Sequence, residues 1–439
     1  RRGTRGRGFT DALTLSKDHL ISSHPTTGAS ARPGTVIAAL AFAGICASFM
    51  QPLVIPIQGQ LPQLLNASRD DTAWIVTITL LVSAICTPIS GRFGDMFGKR
   101  KVTLCLLGLL VGGSVVAALS SSVGGVIVGR ALQGAGLGVI PLGISILRDA
   151  IPASRLGSAI AFVSATLGVG GALGLPVSAL VAEHADWLAL FWIAGALGII
   201  ALILILLWVP ADGAGVGGRV DVVGVIGLAV GLTAILVALS QGNRWGWASV
   251  GTLGLLAAGL LLLVIWGWVE LGVRDPLVDL RTSSRGAVLF VNLASLGMGF
   301  ALFTSNVAFP QWLQLPEAAG GLGLALLPAS LVIMPSGLAM LVISPVAGRL
   351  ERRFGAKPLL FASWLILALT YLPSAMLPGA VWHIVVLNVV LGVALGLCFP
   401  AVPTIILQSV PPSECASANG LNTLLRSPWV ALPSAPLSL

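Results

Sequence analysis

Residues 87–98 read TPISGRFGDMFG, and the basic run KRK at 99–101 follows directly. This stretch joins two apolar segments, at 72–91 and 102–121. Each segment has about the 20 residues that a helix needs to cross a hydrocarbon core about 30 Å thick. A short, charged, glycine-rich sequence between two such segments predicts a turn that links two transmembrane helices on one side of a membrane.

Apolar segments of this kind recur along the whole chain. Hydrophobic residues make up 56% of the 439 residues and charged residues only 9%, whereas a soluble domain carries about 25% charged residues. A water-soluble fold of this composition could not cover its surface. The segments lie at 35–57, 72–91, 102–121, 124–147, 157–182, 188–209, 221–241, 249–271, 286–310, 319–347, 358–377 and 381–409, and a thirteenth begins near Cys415. We therefore predict an all-α polytopic membrane protein.

The basic residues predict how these helices are oriented. Short cytoplasmic loops carry an excess of Lys and Arg. If the N-terminus is cytoplasmic, 20 of the 24 Lys and Arg residues fall on that side, and only Arg69 and Arg244 fall clearly on the other. Topology thus explains the net charge of +8, and no nucleic-acid partner is expected. The predicted location is the plasma (inner) membrane, multi-pass, with a cytoplasmic N-terminus.

An internal repeat predicts two related halves. Residues 87–98 align without gaps with SPVAGRLERRFG at 344–355, and Pro, Gly, Arg, Phe and Gly coincide. Both copies end one apolar segment and precede another, as a parallel repeat about an axis along the membrane normal requires. The copies differ at the fifth position of the GRFGD sequence, where Arg352 replaces Asp95. We predict two pseudo-symmetric helical bundles.

The sequence GRFGDMFGKR at 91–100 resembles the signature between helices 2 and 3 of the major facilitator superfamily. From about Ala38 to Arg426 the chain resembles the branch of 14-helix drug:proton antiporters, which implies two extra helices between the two bundles. The implied parts are a disordered cytoplasmic tail at 1–34, a six-helix bundle at 35–210, two additional transmembrane helices with linkers at 211–285, an incomplete C-terminal bundle at 286–427 and an irregular tail at 428–439.

The signature supplies candidate residues for a cytoplasmic gate, which are Gly91, Arg92, Asp95, Gly98, Lys99 and Arg100. Glycines allow a tight turn to pack closely on a neighbouring helix. The Asp95 carboxylate can accept hydrogen bonds from an arginine or from a helix N-terminus across the two bundles. Such a latch would hold the cytoplasmic side shut. The alternative is a solvated loop whose basic residues only fix the topology.

Arg130 and Gln133 are candidates for transport and coupling. They lie in GRALQGAG at 129–136, which is similar to the conserved-arginine motif of the family and so implies a role of Arg130 in proton coupling. An arginine inside a membrane segment is costly and normally faces the bundle interior or a watery cavity. We expect Arg130 to line the cavity of the N-terminal half. Snorkelling to the membrane surface is the alternative.

Gly170, Gly174 and Pro176 form a third candidate motif. The sequence GVGGALGLP at 168–176 resembles the antiporter signature of the family, although Leu175 separates the last glycine from the proline. The two glycines create a face on which another helix can approach closely, and the proline removes a backbone donor. The motif therefore favours a rocking interface, with ordinary helix packing as the alternative.

Together these features predict a secondary active transporter that exports drugs or other amphipathic small molecules by alternating access in exchange for protons. The alternatives are an exporter of one endogenous metabolite or lipid without proton coupling, or a truncated remnant that does not transport. The sequence contains no GxxxxGK[ST] phosphate loop, no clustered metal ligands and no Gly-x-Ser-x-Gly motif. We thus expect no enzymatic activity, no cofactor and no metal. The expected partners are a small-molecule substrate, protons and the lipid bilayer.

Overall fold

The structure, a computed structural model, describes residues 32–211, 217, 220–274, 276–284, 286–374, 380–411 and 414–426. Most of the predicted tail at 1–34 and the whole predicted tail at 428–439 lie outside these residues. The described residues form thirteen principal helices and no strands. These helices are α1 (Pro33–Met50), α2 (Arg69–Phe97), α3 (Lys99–Leu119), α4 (Val123–Ala150), α5 (Ala153–His184), α6 (Ala189–Trp208), α7 (Val222–Trp245), α8 (Val250–Glu270), α9 (Gly286–Gln314), α10 (Leu326–Phe354), α11 (Ala356–Ser374), α12 (Val381–Ser409) and α13 (Cys415–Arg426).

Length and composition confirm the membrane fold. Among the described residues, eleven helices are long and apolar enough to span a bilayer, and α11 contains a shorter apolar helix at Ala356–Tyr371. Large apolar side chains also face outward on many of these helices, as Leu207, Phe361 and Leu369 do. Such exposure would be unfavourable in water but suits contact with lipid. The chain is a multi-pass membrane protein.

The helices form two halves that contact each other, α1–α6 and α9–α13. Helix α5 packs along α10, and α2 packs against α13. The helices α7 and α8 follow the first half in sequence and pack on each other. Leu228, Leu232 and Leu236 of α7 join a core with Leu81 of α2. Helix α8 is largely exposed, and Trp268 retains 78% of its accessible surface, so α8 is a lipid-facing outer helix.

The internal repeat is confirmed by matching backbone geometry. Gly98 ends α2 with a φ of 110°, and Gly355 ends α10 with a φ of 84°. Each donates its N–H to the carbonyl of the residue four positions earlier, at 3.1 Å and 2.8 Å respectively. Residues other than glycine rarely adopt a positive φ of this size. The two copies therefore turn the chain in the same way in both halves.

The signature sequence differs from its prediction in one respect, because most of it is helix rather than turn. Helix α2 continues through Gly91 and Gly94 to Phe97, and Gly98 alone makes the turn into α3. Helix α10 also differs from its predicted segment at 319–347, because it starts later, at Leu326, and continues to Phe354. Both helices project past their apolar segments because the polar residues at their ends remain helical. We call the end of the molecule that carries Gly98 and Gly355 the basic face.

Candidate functional site

A cavity lies between the two halves. Its empty volume, including space open to solvent, is about 1090 Å³. The N-terminal half contributes residues of α1, of the turn that follows it, of α4 and of α5, and the second half contributes residues of α9, α10, α12 and α13. The lining residues are Ser48, Gln51, Pro52, Ile55, Ile140, Leu167, Gly168, Gly171, Ala172, Leu302, Ser305, Asn306, Ser336, Gly337, Met340, Leu395, Phe399, Thr423 and Arg426. The wall is mainly apolar with a few polar groups, which is typical of small-molecule sites.

The basic face is closed in part by contact between α2 and α13. A Cβ atom on Gly91 would lie 2.4 Å from the carbonyl oxygen of Ala416, so only glycine allows this approach. The Asp95 Oδ2 atom accepts a hydrogen bond of 3.1 Å from the backbone N–H of Ser417, in the first turn of α13. A carboxylate is favourable there because the first turn of a helix presents unpaired N–H groups and a partial positive charge.

The other signature residues attach this contact to the N-terminal half. Lys99 forms a salt bridge with Asp149 at 2.6 Å, and an Arg100 guanidinium nitrogen donates to the carbonyl of Leu206 at 2.5 Å. Arg148, one residue before Asp149, donates a hydrogen bond to the thiol of Cys415 at the start of α13. The N-terminal half thus meets the first turn of α13 from two of its helices, α2 and α4.

The second copy of the repeat makes an equivalent contact between α10 and α5. A Cβ atom on Gly348 would lie 3.3 Å from Cα of Ser158, near the start of α5. Arg352, at the position of Asp95 in the repeat, donates to the Ser158 hydroxyl at 2.5 Å. Each copy of the repeat therefore reaches the beginning of a helix in the other half. We call the two contacts, α2 with α13 and α5 with α10, the basic-face gate.

Arg130 is fully buried in the N-terminal half. Its guanidinium donates to the carbonyls of Met50 (2.9 Å), Gln51 (3.4 Å) and Ile75 (3.4 Å), and to the side-chain oxygen of Gln133 (3.0 Å). Helix α1 ends at Met50, and the N–H of Ile55 donates to the carbonyl of Pro52 rather than to that of Gln51, which leaves the Gln51 carbonyl for Arg130. These four acceptors compensate the arginine for the loss of water.

The expectation that Arg130 lines the cavity is wrong. Gln51 forms the cavity wall, and Arg130 lies behind it and binds its carbonyl. Gln133 is equally buried and donates from its amide nitrogen to the Ser114 hydroxyl at 2.8 Å. The pair therefore joins the end of α1 to α2, α3 and α4. The sequence could not predict this set of contacts, because they depend on where α1 ends.

Gly170 and Gly174 pack against α1 within the same half. A Cβ atom on Gly170 would lie 2.5 Å from Cβ of Ser48, and one on Gly174 would lie 2.7 Å from Pro52. Pro176 lies two residues further along α5. The contact between the two halves involves a different face of α5, which carries Gly168 and Ala172. There, a Cβ atom on Gly337 of α10 would lie 2.2 Å from the carbonyl of Gly168 and from Cβ of Ala172.

The second half contributes five polar residues to the cavity lining that were not among the predicted site residues: Ser305, Asn306, Ser336, Thr423 and Arg426. Ser305 and Asn306 line the cavity from a π-helical turn at Thr304–Ala308 within α9. Such turns are frequent at functional sites, but no sequence pattern indicates this one. Arg426 lines the cavity from the last turn of α13. A basic residue at the end of a buried apolar segment is the signal that could have identified it.

Comparison with known proteins gives consistent relatives. The Lincomycin resistance protein LmrB of Listeria monocytogenes is 26% identical over 409 residues, which cover 92% of this chain and 86% of LmrB. The Multidrug export protein EmrB of Haemophilus influenzae is 28% identical over 411 residues, 90% of this chain and 78% of EmrB. The Tetracenomycin C resistance and export protein of Streptomyces glaucescens is 28% identical over 415 residues, 91% of this chain and 74% of that protein.

Solved structures share the fold. The human organic anion transporter MFSD10 superimposes with a TM-score of 0.62 at 14% identity, over 92% of both chains. The proton:xylose symporter XylE gives a TM-score of 0.60 at 17% identity, over 91% of this chain and 86% of XylE. The family model described as Major Facilitator Superfamily matches residues 40–433, and this chain therefore belongs to the Major Facilitator Superfamily of membrane transporters.

Proposed function

We propose that the chain exports drugs or other amphipathic small molecules across the plasma membrane by alternating access, in exchange for protons. The observation that carries the proposal is a largely apolar cavity between two halves whose contact at one end includes the hydrogen bond between Asp95 and the N–H of Ser417. Opening this gate while the opposite end closes would move a bound compound from one side to the other. The names of LmrB, EmrB and the tetracenomycin C exporter support drug export.

The basic face is assigned to the cytoplasm in this proposal. The loops and helix ends at 98–101, 148–155 and 349–357 carry most of the basic residues of the described helices, and the positive-inside rule places such segments in the cytoplasm. The opposite face carries the ion pair between Arg244 and Asp70 at 3.3 Å. The proposed parts remain a six-helix bundle at 35–210, two additional helices at 211–285 and a second bundle at 286–427.

An exporter without proton coupling is the second candidate. The residues that line the described cavity include no Asp, Glu or His, although a group that changes its protonation is what links a proton to a conformational cycle. In the proton-coupled version, the titrating group therefore lies outside this lining, and Asp95 at the gate, which is 6% exposed, is our candidate.

A vesicle assay separates the two candidates. Proteoliposomes that contain the full chain are loaded with an uncharged amphipathic fluorescent dye, and dye movement is followed with and without an imposed pH gradient. Faster movement with the gradient supports proton exchange. Equal movement in both conditions supports uncoupled export. No movement above protein-free liposomes, for a panel of neutral, cationic and anionic dyes, would contradict the proposed function.

A further inference from the structure

The cavity contains a cation whose hydrogen bonds are incomplete. Arg426 is 9% exposed and lines the cavity from α13. One guanidinium nitrogen, Nη2, donates to the hydroxyl of Thr423 at 3.0 Å. The other, Nη1, is buried and has no hydrogen-bond partner among the described residues. Removing a guanidinium from water without giving it acceptors is unfavourable, so such a group normally has a partner.

The other buried arginine shows what a satisfied guanidinium looks like in this protein. Arg130 binds four oxygen acceptors and lies behind the cavity wall. Arg426 has one hydroxyl acceptor, and its guanidinium carbon lies 4.9 Å from the centroid of the Phe399 ring. An aromatic face holds a cation in position but does not accept its N–H groups in the plane of the guanidinium. Protein oxygens therefore bind the guanidinium of Arg130 on all sides, whereas Nη1 of Arg426 still lacks an acceptor.

The groups around Arg426 indicate which kind of ligand can supply the missing hydrogen-bond acceptor. The cavity lining contains no carboxylate among the described residues, and its other polar groups are neutral hydroxyls and amides such as Ser305, Asn306 and Gln51. A positive charge in a largely apolar cavity favours an anionic group on a ligand. A carboxylate matches the planar guanidinium especially well, because it can accept two parallel N–H bonds.

We propose that Arg426 is a substrate-recognition residue that binds the acidic group of an amphipathic organic ligand. The apolar body of the ligand occupies the cavity beside Phe399, Leu395 and Met340, and its carboxylate accepts hydrogen bonds from Nη1 of Arg426. This inference rests on the proposed transport function for its biological meaning, and it specifies the substrate class as weak organic acids with an apolar ring system. The experiment that tests it measures ligand binding and does not require transport.

Three anthracene derivatives with nearly the same apolar body provide the test: 9-anthracenecarboxylate, the uncharged 9-anthracenemethanol and the cationic 9-anthracenemethylammonium. Their affinities are measured by fluorescence for the full chain in phosphatidylcholine nanodiscs. We expect the carboxylate to bind at least about tenfold more tightly than the alcohol, as a charge-assisted hydrogen-bond pair in a dry site would give. The ammonium compound is expected to bind most weakly.

Variants assign that preference to one side chain. Arg426→Gln should remove the tenfold preference by weakening carboxylate binding far more than alcohol binding, and retained binding of the alcohol also shows that the variant is folded. Arg426→Lys should retain part of it. Arg244→Gln removes the same charge from an exposed residue on the opposite face and should keep the full preference. Equal affinity of the wild type for carboxylate and alcohol, or an undiminished preference in Arg426→Gln, would overturn the proposal.

A lipid phosphate could also supply an anion. The binding measurement is therefore repeated in nanodiscs with phosphatidylglycerol. An unchanged affinity for the carboxylate supports a substrate site. Competitive loss of carboxylate binding as the phosphatidylglycerol content rises would assign Arg426 to a lipid headgroup and overturn the proposal. Failure of export in the vesicle assay alone would contradict the proposed function but would leave this binding preference intact.

Discussion

Asp95 on α2 and Ser417 on α13 are 322 positions apart in the chain, and a carboxylate oxygen of the first accepts the backbone N–H of the second at 3.1 Å. Only 6% of the Asp95 surface is exposed. Gly91, one helical turn earlier, allows the close approach because its missing Cβ would meet Ala416. The gate is thus formed by one glycine that admits the helix end and one carboxylate that binds it.

Replacing Asp95 by Asn should loosen this gate without unfolding the protein. The amide oxygen can still accept the N–H, but the negative charge that complements the helix terminus is lost, at a cost of about 1–2 kcal/mol. Cys415 is a native reporter because it is buried in the closed gate. In a chain whose other four cysteines are replaced, we expect a maleimide to label Cys415 roughly 5–30-fold faster in Asp95→Asn.

A matched control for this experiment is Asp149→Asn. It removes another carboxylate from the basic face, one that pairs with Lys99 and is more than half exposed. A salt bridge of that kind contributes only about 0–1 kcal/mol. Its effect on Cys415 labelling should be much smaller. Equal labelling rates in the wild type and in Asp95→Asn would contradict the latch.

Gly91→Ala should open the same gate for a steric reason. The added methyl group would lie 2.4 Å from the Ala416 carbonyl oxygen, and backbone atoms cannot move aside as a flexible side chain can. We expect slower transport and faster labelling of Cys415. Gly108→Ala in α3 is the control, since a Cβ there meets nothing within 4 Å. Normal transport by Gly91→Ala would show that α13 does not need this contact.

The sequence predicts most of the helices and the repeat because both depend on local properties. Long apolar segments cross the bilayer wherever they occur, and Gly98 and Gly355 end their helices by the same backbone conformation. For Asp95 the sequence left two partners open, an arginine or a helix N-terminus across the two halves, and the structure has the helix N-terminus. Such a partner requires only that a second helix starts on the same side of the membrane.

What the sequence does not predict depends on the rotation and unwinding of helices. Whether Gly168 or Gly170 faces the other half is decided by a two-residue difference along α5, about 200° of rotation. Whether Arg130 reaches the cavity is decided by the carbonyls that α1 exposes at its end. Both features arise from packing between elements, and neither leaves a periodic pattern in one segment.

Arg130→Lys tests whether the buried arginine is a structural link. Lysine keeps the charge, but its three donors sit on one nitrogen and cannot reach four acceptors spread over α1, α2 and α4. Leaving buried carbonyls unpaired should cost about 1–3 kcal/mol and lower the thermal unfolding midpoint of the detergent-solubilised chain. A midpoint equal to that of the wild type would contradict this account.

A second substitution at Arg130 tests the coupling role that the family resemblance implies. If Arg130 takes part in proton exchange, Arg130→Ala should move dye equally with and without a pH gradient. Gln133→Ala, which removes one of the four acceptors, should weaken the dependence on the gradient to a smaller extent. Full gradient dependence in Arg130→Ala would assign coupling to another residue.

Arg352→Ala probes the second contact of the gate, between α10 and α5. The Arg352 guanidinium donates to the Ser158 hydroxyl across the two halves, whereas its neighbour Arg353 lies over the Phe354 ring of its own helix, 5.2 Å from the ring centroid. Arg353→Ala is therefore a matched loss of charge at the next position. Ser158→Ala removes the same hydrogen bond from its acceptor side, so its transport rate is measured in parallel. Arg352→Ala and Ser158→Ala should slow transport to a similar degree, and the double variant should be no slower than either, because both remove the same bond. Additive losses, or an equal loss in Arg353→Ala, would show that Arg352 acts through its charge and not through this contact.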